Sequence, residues 1–261
     1  MNLKHFLTKT YIRLHERTFK KRLKYVFLKN HSDTLVISFS GFSPKPSYNY
    51  MRSLKDVKTD KLFILDDFGI RGSYYWFENG QDLPRELVQS LVSQVVARGG
   101  YKRVITLGSS KGGTCAIYYG LIFGASDIYA GACQYYAGTY LSSEEHRPIL
   151  RAMMGDMPDE EARTVVDRMM PDLLKQYAGS KSKIHLLYSK AEHTYDEHIK
   201  YMIEDLKKYG YDYTEQLEDF KDHNDVGKFF PKFIQQGINE VEYNGQKQAV
   251  QDSPLPLHQR H

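Results

Sequence analysis

Residues 103–123 read RVITLGSSKGGTCAIYYGLIF, and three patterns follow one another along them. Residues 103–107 (RVITL) are mostly apolar and β-branched, the composition of a short buried strand. Residues 108–113 (GSSKGG) are mostly glycine and serine, which make a tight turn. Residues 114–123 (TCAIYYGLIF) are apolar nearly all round, as a helix enclosed on every side must be. The turn matches G-x-S-x-G, with Gly108, Ser110 and Gly112 at the fixed positions. A serine on a sharp strand-to-helix turn takes a strained backbone conformation and needs neighbours without a β-carbon. It also stands at a helix head, where free N–H groups and the helix dipole favour developing negative charge. Ser110 is therefore the candidate nucleophile and the Lys111 amide a candidate oxyanion donor. The competing use of such a turn is a phosphate cradle. A loop of the K-G-G-x-x-K-T type does begin at Lys111, but Ala116 and Ile117 stand where Lys and Thr must meet phosphate and Mg²⁺.

Serine is a weak nucleophile without a base, so a histidine is required later in the chain, with an acid before it. His223 follows an aromatic-containing run ending at Phe220 and precedes a helix expected over 226–238. The acid should follow the apolar run 183–189 (KIHLLYS), where Glu192 and Asp196 are available. Glu192, three residues past that run, is preferred; either carboxylate also suits an ordinary helix start. Ser40-Gly41-Phe42 follows an early strand, which makes the Phe42 N–H a candidate second oxyanion donor; a plain glycine turn leading to Pro44 explains the same residues. His185, Glu192, His193 and His198 have no tight metal-ligand spacing, so no metal and no cofactor are expected. Tyr74, Tyr75, Trp76, Tyr135, Tyr136 and Tyr140 fall near presumed strand ends and could line a sugar site, with core packing as the alternative. The same choice holds for Met153, Met154, Met157, Met169 and Met170, an adaptable pocket wall or core.

Outward from the turn, residues 83–98 (LPRELVQSLVSQVVAR) space Leu87, Leu91, Val95 and Val96 at helical intervals, with Pro84 in the first turn and Gly99-Gly100 as a stop. Residues 24–30 (KYVFLKN) and 34–40 (TLVISFS) flank a polar turn and read as a hairpin. Residues 61–65 (KLFIL), 128–133, 183–189 and 211–220 read as further strands, with a Met-rich helical stretch over 148–177 and helices over 198–209 and 226–238. Strands separated by helices predict an α/β fold in three layers, with a mostly parallel sheet and helices on both faces. The expected organisation is a basic N-terminal segment over 1–23 and a domain over 24–242 with a helical lid insert at about 134–182. A loosely ordered polar tail over 243–261 would complete it.

The 261 residues are 41% hydrophobic and 26% charged, which excludes a disordered or fibrous chain and suits one globular domain. No apolar run is long enough for a membrane helix, and the N-terminus lacks a secretory signal pattern. The only cysteines, Cys115 and Cys133, fall in expected core elements and form no disulfide framework. A cytoplasmic protein is expected. Residues 1–33 hold nine Lys/Arg against two acids, net +7, and the remainder carries −3 of the total +4. The basic arm reads as a solvated face or a peripheral contact to an anionic membrane or a protein complex; no nucleic-acid partner is expected.

The elbow at 108–112, with Glu192 and His223 in order, resembles the α/β-hydrolase superfamily over roughly residues 24–238. Five stretches are similar to a bacterial branch of it tied to surface glycans: 66–75 (DDFGIRGSYY), 108–113 (GSSKGG), Tyr188-Ser189, 192–195 (EHTY) and 223–227 (HNDVG). That branch holds capsular polysaccharide biosynthesis proteins of the XcbB/CpsF kind and the acetyltransferase-like component of the accessory Sec system. The resemblance implies a Ser-His-acid esterase or O-acyltransferase working through an acyl-enzyme on a carbohydrate, with Asp67 and Arg71 near the substrate. A non-catalytic binding module of a glycan-assembly complex is the alternative on the same fold.

Overall fold

The structure is a computed structural model that describes residues 11–251. Among the described residues eight strands form one sheet: β1 (Glu16–Phe19), β2 (Leu23–Leu28), β3 (Thr34–Phe39), β4 (Asp60–Ile64), β5 (Arg103–Ser109), β6 (Asp127–Gly131), β7 (Lys183–Tyr188) and β8 (Asp212–Leu217). Their order is β1-β2-β4-β3-β5-β6-β7-β8. The strands from β3 onward are mutually parallel, and β2 joins β4 and β1 antiparallel. The helices are α1 (Leu83–Gly99), α2 (Lys111–Ile122), α3 (Ala137–Leu141), α4 (Arg147–Met154), α5 (Asp159–Gln176), α6 (Lys200–Lys208) and α7 (Val226–Gln251).

Strand β3 shows how the layers arise. All six of its residues are buried. Leu35, Ile37 and Phe39 enter one core and Val36 the other, the period-two division of a strand covered on both faces. On the first face α1 and α2 press Leu87, Val88, Leu91, Ile117 and Tyr119 onto the sheet. On the second, α7 contributes Phe230, Phe233, Ile234 and Ile238, each worth about 1.5–3 kcal/mol of transfer free energy. Helix α1 carries Pro84 in its first turn and ends at Gly100 in the left-handed conformation, as its sequence predicts.

The expected hairpin between 24–30 and 34–40 does not form. Strand β4 lies between the two, pairing in parallel with β3 and antiparallel with β2. An apolar strand such as β3 is most stable inside the sheet, where β4 and β5 satisfy both its edges. The partner of β2 on its other side is β1, which the sequence reading placed in the basic N-terminal segment. Helix α7 continues past Ile238 to Gln251, into the segment expected as a tail; residues 1–10 and 252–261 lie outside the described residues. Helices α3, α4 and α5 make up the helical insert between β6 and β7, and Met153, Met154 and Met170 are buried in the core there. Among the described residues no helix is long and apolar enough to cross a membrane.

The β1–β2 connection is Lys20-Lys21-Arg22, whose turn is closed by the Arg22 N–H donating to the Phe19 carbonyl at 3.0 Å. Both lysines have positive φ, 44° and 60°. A turn of this hand fits the twist of paired strands but favours Asn-Gly over two residues with long side chains. Lys20→Asn/Lys21→Gly is expected to stabilise the chain by about 1 kcal/mol, read as a higher urea midpoint with an unchanged slope.

Candidate active site

Strand order reverses at β3: β4 lies on one side of it and β5 on the other. The carboxyl ends of β3 and β5 therefore part around a crevice, where open α/β sheets place their ligands. Ser110 stands there between β5 and α2, with φ 52° and ψ −130°. The local sequence permits this because a β-carbon at Gly108 would lie 2.2 Å from the Gly112 carbonyl oxygen, and one at Gly112 would lie 2.7 Å from that of Phe39. The Ser110 N–H donates to the Gly131 carbonyl at 2.7 Å, fixing the elbow to the end of β6.

Three of the predicted side chains meet. His223 Nε2 lies 2.8 Å from Ser110 Oγ, and His223 Nδ1 lies 3.1 Å from Glu192 Oε1. A buried carboxylate facing Nδ1 selects the tautomer with its proton there, which leaves the Nε2 lone pair to the serine hydroxyl. Glu192 is 2% exposed and also accepts a hydrogen bond from the Thr194 hydroxyl. Burial disfavours its charge, but the hydrogen bonds from His223 and Thr194 outweigh burial and hold the carboxyl below its ordinary pKa. Asp196 is exposed and pairs with Lys200 at 3.2 Å. Ser189 fixes the spacing of the two loops: its hydroxyl accepts from the Ala191 N–H at 3.1 Å and the Phe220 N–H at 3.3 Å, tying the Glu192 loop to the His223 loop.

The predicted oxyanion donors stand on the loop after β3 and in the first turn of α2. Among the described residues neither the Phe42 nor the Lys111 N–H donates to a protein acceptor. Of the predicted substrate residues, Arg71 lines the cleft and pairs with Glu145 at 3.5 Å. Asp67 does not: it is held by Arg22 at 3.0 Å and Lys24 at 2.7 Å, at the β2 side of the sheet. The cleft has a volume of about 770 Å³, and Phe42, Tyr140 and His146 stack along one wall, the last two rings 4.7 Å apart. Tyr74, Tyr75, Trp76 and Tyr135 are buried in the core instead, so of the aromatics proposed for a sugar site Tyr140 is the one on the cleft.

The sequence reading missed Asp66, Gln134 and the Lys111 side chain. Gln134 Nε2 donates to Ser110 Oγ at 3.2 Å. Lys111 and Asp66 form a fully buried ion pair at 2.6 Å. The same carboxylate oxygen of Asp66 accepts the Ser73 and Tyr75 N–H groups, and the Asp66 N–H donates to the Ser40 hydroxyl. The pair thus braces the two loops that carry the predicted oxyanion donors. A charged residue immediately after the nucleophile, with acids at 66 and 67, was the available signal. Lys111→Met is expected to lower stability by roughly 3–5 kcal/mol, because it leaves a buried carboxylate unpaired. Adding Asp66→Asn, which keeps an acceptor for both amides, should restore part of that loss in denaturant titrations.

His198, also weighed as a metal ligand, is buried beside Tyr140 on a π-helical turn, Tyr195–Ile199. Its Nδ1 accepts the Tyr136 N–H at 3.3 Å, and its Nε2 is buried without a hydrogen bond, 3.9 Å from the Glu197 carboxylate. Burial pushes its pKa down to about 4. Because the unfolded ring protonates near 6.5, the unfolded state binds more protons between those values, and stability falls as pH drops from 6.5 towards 4. The loss should approach roughly 3 kcal/mol, and His198→Asn, which keeps an acceptor, should flatten the urea midpoint over that range.

No family model matches the chain, and no curated protein matches it in sequence. Solved structures do. A mutant of the capsule O-acetyltransferase of Neisseria meningitidis serogroup A, in complex with CoA, superposes with a TM-score of 0.70 at 20% identity, over 85% of this chain and 94% of that one. A glycosylation-associated protein complex of Streptococcus agalactiae gives 0.68 at 16% identity, over 86% of this chain and 46% of that one. The fluorophosphonate-binding serine hydrolase F of Staphylococcus aureus gives 0.61 at 14% identity, over 83% of this chain and 91% of that one. A mostly parallel sheet covered on both faces, a serine elbow at its reversal point and these likenesses together give the chain an α/β-hydrolase fold.

Proposed function

We propose that the protein is a serine-dependent O-acyltransferase or esterase that works through an acyl-enzyme on an acylated carbohydrate of surface polysaccharide metabolism, in the cytoplasm. The observation that carries this is the hydrogen-bonded chain from Ser110 Oγ through His223 to the buried Glu192 carboxylate. Its order and spacing are those of an activated nucleophile, its base and the group that orients the base.

Ser110 Oγ attacks the acyl carbonyl while its proton passes to His223 Nε2. The carbonyl oxygen, now an oxyanion, takes the Phe42 and Lys111 N–H groups, each such donor being worth about 3–4 kcal/mol in the transition state. Glu192 stabilises the imidazolium, which then protonates the leaving group. A sugar hydroxyl or water next loses its proton to His223 and attacks the acyl-serine, and His223 returns that proton to Ser110 Oγ as the product leaves. The cleft wall of Phe42, Tyr140 and His146 offers flat faces to a sugar ring. Arg71 at the same cleft is a cationic contact for an anionic group on either substrate. The likeness to a capsule O-acetyltransferase solved with CoA supports an acyl thioester as donor. The convergence of three side chains on one hydrogen-bonded line argues against a purely binding role.

Incubation with a fluorophosphonate probe, followed by intact mass, should label the wild-type protein once and leave Ser110→Ala and His223→Ala unlabelled. Absence of labelling in a folded wild-type chain would overturn the reading. Glu192→Gln should lower kcat by roughly 10³–10⁴-fold, and Asp196→Asn should leave it unchanged.

A further inference from the structure

The acid of the site faces two imidazoles. Glu192 Oε1 lies 3.1 Å from His223 Nδ1 and 3.1 Å from His193 Nε2. Ligand atoms of the three residues all fall within 4.8 Å of one another. Tetrahedral zinc with N and O ligands at 2.0–2.1 Å sets those ligands about 3.3 Å apart, so two of the three edges are close to that separation already. The supporting contacts are present too. His193 Nδ1 lies 3.0 Å from the Glu197 carboxylate, and the second Glu192 oxygen accepts from Thr194. A carboxylate behind a ligating imidazole fixes its ring and raises its basicity. His193 and His223 both line the cleft, and the His193 side chain is 48% exposed, so an ion has a path in and a coordination position left for water.

We propose that Glu192, His193 and His223 form an inhibitory site for a borderline-soft divalent metal ion, Zn²⁺ foremost. The ion takes the His223 Nδ1 lone pair, and the proton that Nδ1 held moves through solvent to Nε2, so the ring stays neutral and no net proton is released. The neutral imidazole then keeps its one proton on Nε2, where it points at Ser110 Oγ, and no lone pair remains there to accept the serine proton. Occupation therefore silences the nucleophile without blocking the cleft. The silencing rests on the proposed role of His223; the binding does not. The sequence reading weighed Glu192 and His193 as ligands but not His223, which lies 31 residues beyond Glu192 and reaches it only through the fold.

Zn²⁺ titrated calorimetrically into the full chain should bind once per molecule. Ser110→Ala should bind equally well, and His193→Gln at least tenfold more weakly. Saturating Zn²⁺ should slow fluorophosphonate labelling of the wild type at least tenfold, reversibly with EDTA, while His193→Gln at the same concentration labels at its metal-free rate. Mg²⁺, which prefers oxygen ligands, should do neither. No binding by the wild type, or equal binding by folded His193→Gln, overturns the site. Binding that leaves labelling unslowed overturns the inhibition. A wild type that does not label without metal counts against the proposed catalysis, and the calorimetry on Ser110→Ala still decides the metal site.

Discussion

Three backbone segments touch at the elbow with no room for a side chain between them. The Gly108 α-carbon faces the Gly112 carbonyl, and Gly112 in turn faces the carbonyl of Phe39. That contact presses the start of α2 against the ends of both β5 and β3, and it allows Ser110 its positive φ. The remaining geometry is set from this point. The end of β3 leads through Ser40 and Gly41 to Phe42, and the first turn of α2 places the Lys111 amide beside the serine. The loops after β6, β7 and β8 then bring Gln134, Glu192 and His223 to the same hydroxyl or its base. Steric exclusion of a β-carbon, rather than any attractive contact, is the constraint that the site depends on.

Around that point the site is held by polar groups buried away from water. Lys111 and Asp66 are both fully buried, and their pairing matters because neither charge has solvent to fall back on. Asp66 also collects two backbone N–H groups and offers its own to Ser40, so one residue connects the loop after β4, the loop after β3 and the elbow. Ser189 does similar work on the opposite side with a neutral hydroxyl. The result is that Ser110 and His223 stand on separate loops, each fixed by its own network.

Legibility in the sequence followed the strength of the local signal. The elbow was readable because strand, glycines and enclosed helix are all local patterns, and their order around Ser110 has one steric meaning. Glu192 and His223 were readable from chain order. Strand pairing was not: residues 24–30 and 34–40 look like a hairpin, and only the burial of β3 on both faces, together with the later arrival of β4, puts another strand between them. Strand β1 escaped because Glu16–Phe19 is short, largely exposed and charged. Adjacent acids mark the other limit. Asp66 and Asp67 are indistinguishable by composition, yet one lies under the elbow beside Lys111 and the other faces Arg22 and Lys24 at the β2 side of the sheet. That difference is the alternation of direction at a strand end, which a one-residue uncertainty in register reverses.

Ser110 and His223 are 113 residues apart in the chain. On a ribosome adding 5–20 residues per second, the serine is made roughly 6 to 23 seconds before the histidine it faces. Through that interval the nascent chain carries a hydroxyl of ordinary reactivity, with no β8 and no α7 to bring an imidazole to it. The Ser110–His223 hydrogen bond thus forms only once β8 and α7 have been made, and the proposed catalysis waits for the same two elements.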